Sequence, residues 1–426
     1  VSEADESGAA REVPAVEDAR PLGLGSLLAL GVNGIVGVGI FFAPKELAAL
    51  APGWGIVAVL AVTGASLLPV ALAVSKVGSR FEEDGGPVLY ARAAFGDTAG
   101  FIVGWLAYVS ALFSAGTVMA GLTGAVLPEL GPIGLRLAAT ALVTVLSLVC
   151  ATGVKISARV WTTLTILKLL PLLGLAALAL VRPAPGPAPP PFDASGVDWF
   201  RAALKATFVF QGFEIVPVIA GQAHASRRNV PIAVVASLLS ATAIYLVLVR
   251  GAVLGVPDLA HSGAPLVDTA RAYGGDRLAH LVAAGTSVSG LGIAFGMVAT
   301  TPRYLSALAP GTRFASERKG VPLMALVTTW AFVVVLVFAG SLGELLTLSS
   351  LAVVMQYLIV ALALGKFAWR RERGLSPGAA WSAVPTAIVA LLLLSGATGT
   401  EWAVAGACAV VGGVLRTFYV RVKRAV

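Results

Sequence analysis

The sequence predicts an all-α membrane protein: about twelve transmembrane helices, arranged as a 5+5 inverted repeat with two further helices at the C-terminus. Three observations predict it. The chain is 58% hydrophobic and 12% charged, with a mean hydropathy of +0.90, far from an average soluble domain. Apolar stretches long enough to cross a bilayer recur from end to end. Two of them, five spans apart, carry glycine at mid-depth: Gly37-Val38-Gly39 in the first, and Gly212 in the sixth. Matching interruptions in corresponding spans of two halves are the sequence mark of an inverted-repeat secondary transporter.

Taken in order, residues 1–20 are polar and acidic and read as a disordered cytoplasmic tail. They lack the basic start and short apolar core of a signal peptide. The first five-helix repeat occupies 21–182, with apolar runs near 22–50, 54–79, 98–126, 132–152 and 157–182. A proline-rich stretch within 183–199 favours extended geometry and reads as an external linker. The second repeat occupies 200–370, with runs near 200–221, 231–255, 278–308, 321–340 and 343–368. Between the second and third of these, 256–277 reads as an external segment, with Pro257, Pro265 and Gly274-Gly275. Residues 371–426 hold the last two helices, near 379–397 and 401–419, and a basic cytoplasmic tail.

Cations set the orientation. Arg80 and Arg92, Lys155 and Arg159, Arg227 and Arg228, Arg313 to Lys319, and Arg370 to Arg373 fall in alternate loops, which places both termini in the cytoplasm. The net charge of +8 follows from this asymmetry and from attraction to anionic lipid, and calls for no nucleic acid. Trp54, Trp199, Trp369, Trp381 and Trp402 fall at span ends, as an aromatic belt would place them. Cys150 and Cys408 lie inside separate spans and imply no disulfide framework. The three histidines lack metal-ligand spacing, and no nucleophile motif or phosphate loop is present.

Chemistry concentrates at the interruptions. Glycine weakens a helix interior, and unwound backbone at membrane depth needs protein or a ligand as partner. Unwinding at Gly37–Gly39 leaves N–H groups at the start of a second half-helix beginning near Ile40, where a carboxylate binds. Carbonyls at the end of the first half-helix can accept from an ammonium group, so a zwitterion fits the pair. The sixth span reads Phe208-Val209-Phe210-Gln211-Gly212-Phe213-Glu214. Glu214 is an intramembrane acid, which argues for gating or coupling against a structural bond to freed N–H groups or to Gln211. Lys168 lies 11 residues past Ser157, about 16 Å at a 1.5 Å rise and near the bilayer centre. Apolar surroundings penalise an ammonium charge, so a lysine there can carry a proton or stand as a fixed cation.

Three motifs resemble the amino acid–polyamine–organocation permeases: Gly37-Val38-Gly39-Ile40-Phe41-Phe42-Ala43-Pro44, the loop from Gly78 to Gly96, and Gly212-Phe213-Glu214 through Arg227-Arg228-Asn229-Val230-Pro231. The resemblance implies a leucine-transporter fold and alternating access. It implies an amino acid held by spans one and six, at Gly37, Val38, Gly39 and Ile40 and at Phe208, Phe210, Gln211 and Gly212. Phe208 takes the aromatic gate position, and Lys168 matches a lysine that replaces sodium in proton-coupled members. Glu82 and Glu83 with Arg227 and Arg228 are the inner-gate candidates. Val38, Lys76, Glu82, Gln222 and Ser226 depart from the family pattern. Beyond Glu214 and Lys168, the spans expected to line the pocket offer no convincing acidic residue for a cationic side chain. The expectation is therefore proton symport of neutral amino acids in the cell membrane, without cofactor or metal. Proton-independent exchange of amino acids or amines is the alternative, and a transport-inactive binding or sensor protein is the alternative from another class. Oligomeric state is left open.

Overall fold

Fifteen α-helices and short 3-10 turns make up the described chain, and none of it forms a named strand. The computed structural model describes residues 22–37, 39–81, 86–153, 158–187, 189, 191–218 and 223–425, with side chains described outside 158–165 and 418–425. In chain order the helices are α1 (Leu24–Ile35), α2 (Gly39–Ala48), α3 (Trp54–Gly78), α4 (Gly86–Phe95), α5 (Asp97–Val126), α6 (Pro132–Ala151), α7 (Ala158–Val181) and α8 (Trp199–Phe210). They continue as α9 (Ile215–Val218), α10 (Ser226–Gly255), α11 (Pro265–Leu308), α12 (Leu323–Ala339), α13 (Leu342–Trp369), α14 (Ala383–Leu394) and α15 (Gly399–Ala425). A helix satisfies its backbone within its own segment, which hydrocarbon demands. Among the described residues, seven helices are long and apolar enough to cross a membrane, or eight if the bent pair α1–α2 is one span. The protein is therefore a multi-pass, all-α membrane protein.

The layering follows from how much of each long helix is buried against the others. α5 and α13 are the most deeply buried of the long helices and pack on each other at the centre, whereas α6 turns most of its surface outward. α13 starts with a capping box, in which Ser341 accepts from the Glu344 N–H and Glu344 accepts from the Ser341 N–H. Around this pair stand α1 with α10, α3 with α10, and α7 with α11. At one end, Arg201 of α8 donates to both carboxylate oxygens of Glu401 on α15, each at 3.1 Å. That pairing ties α15 to the start of the interrupted helix α8.

Two segments read as loops are helical. Residues 86–95 form α4, which packs along α5. Within 256–277, helix α11 already starts at Pro265, because a proline at the first helical position supplies the right φ and loses no intrahelical bond. Gly275, at φ 70° and ψ −170°, then kinks the helix before it enters the apolar run. The preceding 3-10 turn, Leu259–His261, packs against α2.

Candidate functional site at two interrupted helices

A tight turn at Val36 and Gly37 ends α1. Val36 sits at φ −72° and ψ 77°, an inverse γ-turn, and the Gly37 N–H donates to the Ile35 carbonyl at 2.7 Å. The chain re-enters a helix at Gly39, with α2 inclined 45° to α1. Val38 lies outside the described residues. A helix end leaves its last carbonyls without partners, and here side chains from other helices supply them. Lys168 of α7, only 5% exposed, donates from Nζ to the Asn33 carbonyl at 3.0 Å. The hydroxyl of Tyr245 on α10, fully buried, reaches the Ile35 carbonyl at 2.7 Å.

The second interruption separates α8 from α9. Gln211 is extended, and Gly212 stands at φ +119°, a conformation that favours glycine. Glu214 folds back so that Oε2 accepts the Gly212 N–H at 2.8 Å, while Oε1 accepts from the Tyr357 hydroxyl of α13 at 3.3 Å. Of the bonds expected for a structural Glu214, the one to a freed N–H is formed; the remaining partner is Tyr357, where Gln211 was the other expectation. The Gln211 Oε1 accepts instead from Ser349 at 3.4 Å, and Ser349 shares a 2.6 Å bond with Ser114 of α5. The Nε2 of Gln211 is buried and has no hydrogen-bond partner among the described residues.

The two interruptions touch. A Cβ on Gly212 would strike the Gly34 carbonyl, and one on Gly39 would lie 3.2 Å from the Val209 Cα. Both glycines thus permit backbone-to-backbone approach. Tyr245 joins the two breaks, since its hydroxyl also lies 3.1 Å from the Val209 carbonyl. Phe208 faces the start of α2, with its ring 6.4 Å from that of Phe42. Phe210 is fully buried and turns the other way, against Gly64 of α3 and the Tyr245 ring. Ile40 is fully buried in the same core, and Ile293 of α11 approaches Gly37. Cavities of about 210 Å³ and about 350 Å³ border α2, lined in part by Phe41 and Phe42 respectively.

At the end of the bundle where α3 finishes, packing is dense. The Tyr90 hydroxyl donates to the Pro217 carbonyl at 3.3 Å. Phe81 lies 5.0 Å from the Tyr90 ring, with the Arg373 guanidinium 3.8 Å over its face. Glu82 and Glu83 lie outside the described residues. Arg227 and Arg228 begin α10, and the charge that Arg227 presents to Arg80 is of the same sign. Burial and that neighbouring cation both lower the Arg80 pKa from its ordinary value.

Sequence reading singled out Lys168, Gln211, Gly212 and Glu214, and the structure places all four at the breaks. It missed Tyr245, Tyr357, Ser114 and Ser349. The available signal was a polar atom in an apolar run: Tyr245 lies inside α10, with ten residues of the helix still to follow.

Interrupted helices crossing at unwound backbone within a multi-pass bundle define a membrane transport protein. The chain belongs to the amino acid permease family, whose sequence profile matches residues 22–404. It is 29% identical over 378 residues to an uncharacterized transporter of Mycobacterium tuberculosis (strain ATCC 25618 / H37Rv), covering 83% of this chain and 82% of that one. An Escherichia coli (strain K12) protein, provisionally named an arginine/ornithine antiporter, is 27% identical over 401 residues, covering 82% and 83%. The branched-chain amino acid permease BcaP of Bacillus subtilis (strain 168) is 28% identical over 249 residues, 53% of each chain. Family and relatives place the protein among amino acid transporters rather than enzymes.

Proposed function

We propose that the protein carries neutral amino acids across the cell membrane by alternating access, coupled to proton symport, with both termini cytoplasmic. The observation that carries this reading is the 3.0 Å bond from Lys168 Nζ to the Asn33 carbonyl, at the last turn before the break in α1. A protonated lysine holds that carbonyl and fixes the break; a deprotonated one loses its charge and the stronger, charge-assisted bond. The break's geometry thereby responds to a proton. The substrate carboxylate sits at the N–H groups that open α2, around Gly39 and Ile40, where the helix dipole favours an anion. Its ammonium group meets carbonyls at the end of α1 or α8, and Phe208 closes over it beside Phe42. Gln211, at the second break, keeps a buried Nε2 donor without a hydrogen-bond partner among the described residues. The preference for a neutral side chain is supported by the acids of the interrupted helices being already engaged, Glu214 by Gly212 and Tyr357 and Glu46 of α2 by Lys205 of α8 at 3.0 Å. Glu214 has stronger support as the residue that shapes the second break than as a second proton carrier.

The test is uptake of labelled neutral amino acids into proteoliposomes without sodium. Accumulation driven by an inward proton gradient and collapsed by a protonophore is expected. A second reading is proton-independent exchange, which the antiporter name of the Escherichia coli relative favours. Uptake that needs preloaded amino acid and ignores the proton gradient would establish exchange and overturn symport.

A further inference from the structure

A groove runs down the outer surface between α5 and α15, floored by Met355 of α13. Its volume is about 670 Å³, and its walls are mostly apolar, including Phe101, Ile102, Trp105 and Gly413, with Thr98, Arg416 and Thr417 at one end. The lining runs from Thr98 to Leu106 on α5, about 12 Å at helical rise, close to half of the hydrocarbon core. Trp105 closes the deep end: its Nε1–H donates to the Cys408 carbonyl at 2.7 Å, and Gly412 admits its ring edge. Arg416 marks the shallow end. Its guanidinium donates to Thr98 Oγ1 at 2.8 Å and stands 5.3 Å from the Phe101 ring centre. Neither partner carries a negative charge. The nearest acid in sequence to that bond, Asp97, is paired with Arg92 at 3.5 Å. The sequence continues past Arg416 with Arg421, Lys423 and Arg424.

We propose that this groove binds an anionic phospholipid, with an acyl chain lying between α5 and α15 and the headgroup phosphate paired with Arg416. Three features commit the groove to this occupant. Its surface is apolar where the bilayer is apolar, so hydrocarbon fills it without desolvating polar groups. Its depth matches one leaflet. Its cation lies at the end where a headgroup begins, which selects an anionic lipid over a zwitterionic one. The inference is independent of the transport mechanism. α5 and α13, which border this groove, also carry Ser114, Ser349 and Tyr357, which hold the second break. A seated lipid therefore steadies the helices behind the site.

The test titrates full-length protein in detergent with palmitoyl-oleoyl phosphatidylglycerol or its phosphatidylcholine counterpart, with bound lipid counted by native mass spectrometry. Phosphatidylglycerol should be retained in preference, with Arg416→Gln lowering its retention about fivefold, the share of one basic residue near an anionic surface, and sparing phosphatidylcholine. Gly413→Leu adds a side chain where a Cβ meets open space, so it should fill the groove and lower retention of both lipids without unfolding the protein. Equal retention of the two lipids by the unmodified chain would overturn the proposal, as would unchanged phosphatidylglycerol retention in both variants. A dimer that Gly413→Leu splits while lipid binding stays the same would also overturn it, since a second copy would then cover this face.

Discussion

The two interrupted helices solve one problem in opposite ways. At the break after α8, the chain supplies its own partner: Glu214 turns back onto the Gly212 N–H two residues earlier. At the break after α1 no carboxylate is near in sequence, and the exposed carbonyls are held by Lys168 and Tyr245, which are distant in sequence. The second break thus has a carboxylate cap from its own turn, with Tyr357 and Ser349 of α13 adding support, while the first takes its side-chain partners from other helices only. A ligand carboxylate accordingly has a better seat at the start of α2 than at α9, whose N–H end already faces Glu214. The difference also separates a fixed element from an adjustable one.

Substitutions that attack this contrast should rank in a definite order. Gly212→Ala puts a methyl group against the Gly34 carbonyl at a positive φ; strain and overpacking together should cost about 4 kcal/mol. A large fall in thermal stability or folded yield would show it, and a wild-type melting temperature would break the claim that the breaks touch. Tyr245→Phe removes the hydroxyl that serves both breaks, at about 2 kcal/mol, and uptake should fall with stability. If only stability falls, Tyr245 is a brace and no part of the transport geometry. Glu214→Gln keeps one carbonyl acceptor and should cost about 1 kcal/mol, with the pH profile of uptake unchanged. A profile that flattens would make the second break the proton-responsive one and reverse the comparison. Ser114→Ala should matter least, about 0.5 kcal/mol, because Ser349 still reaches Gln211; its readout is a small rise in KM.

Much of this was legible in the sequence, for identifiable reasons. Glycine inside an apolar run is visible without a structure, so both breaks could be placed to within a few residues. Lys168 stood out because a charge at bilayer depth is expensive. Its partner did not, because a backbone carbonyl 135 residues away carries no sequence signature. Tyr245 escaped for a related reason: an amphipathic ring passes for core or interface packing until its hydroxyl is seen between two freed carbonyls. Gly34 was overlooked because its role lies in the approach of Gly212, a contact across the fold. Phe208 and Phe210 looked alike in sequence, and only the helix phase separates the ring facing α2 from the one buried against α3. Helix α4 was hidden because its motif reads as a loop by its glycines and charges.

The central claim is that the α1 break responds to a proton through Lys168, and one measurement addresses it most directly. Uptake of labelled neutral amino acids is compared between the unmodified protein and Lys168→Ala in sodium-free proteoliposomes, with and without an inward proton gradient. Gradient-driven uptake by the unmodified protein, abolished in Lys168→Ala at equal expression and insertion, is the predicted result. Gradient-driven uptake that survives in Lys168→Ala with the same pH dependence would contradict it.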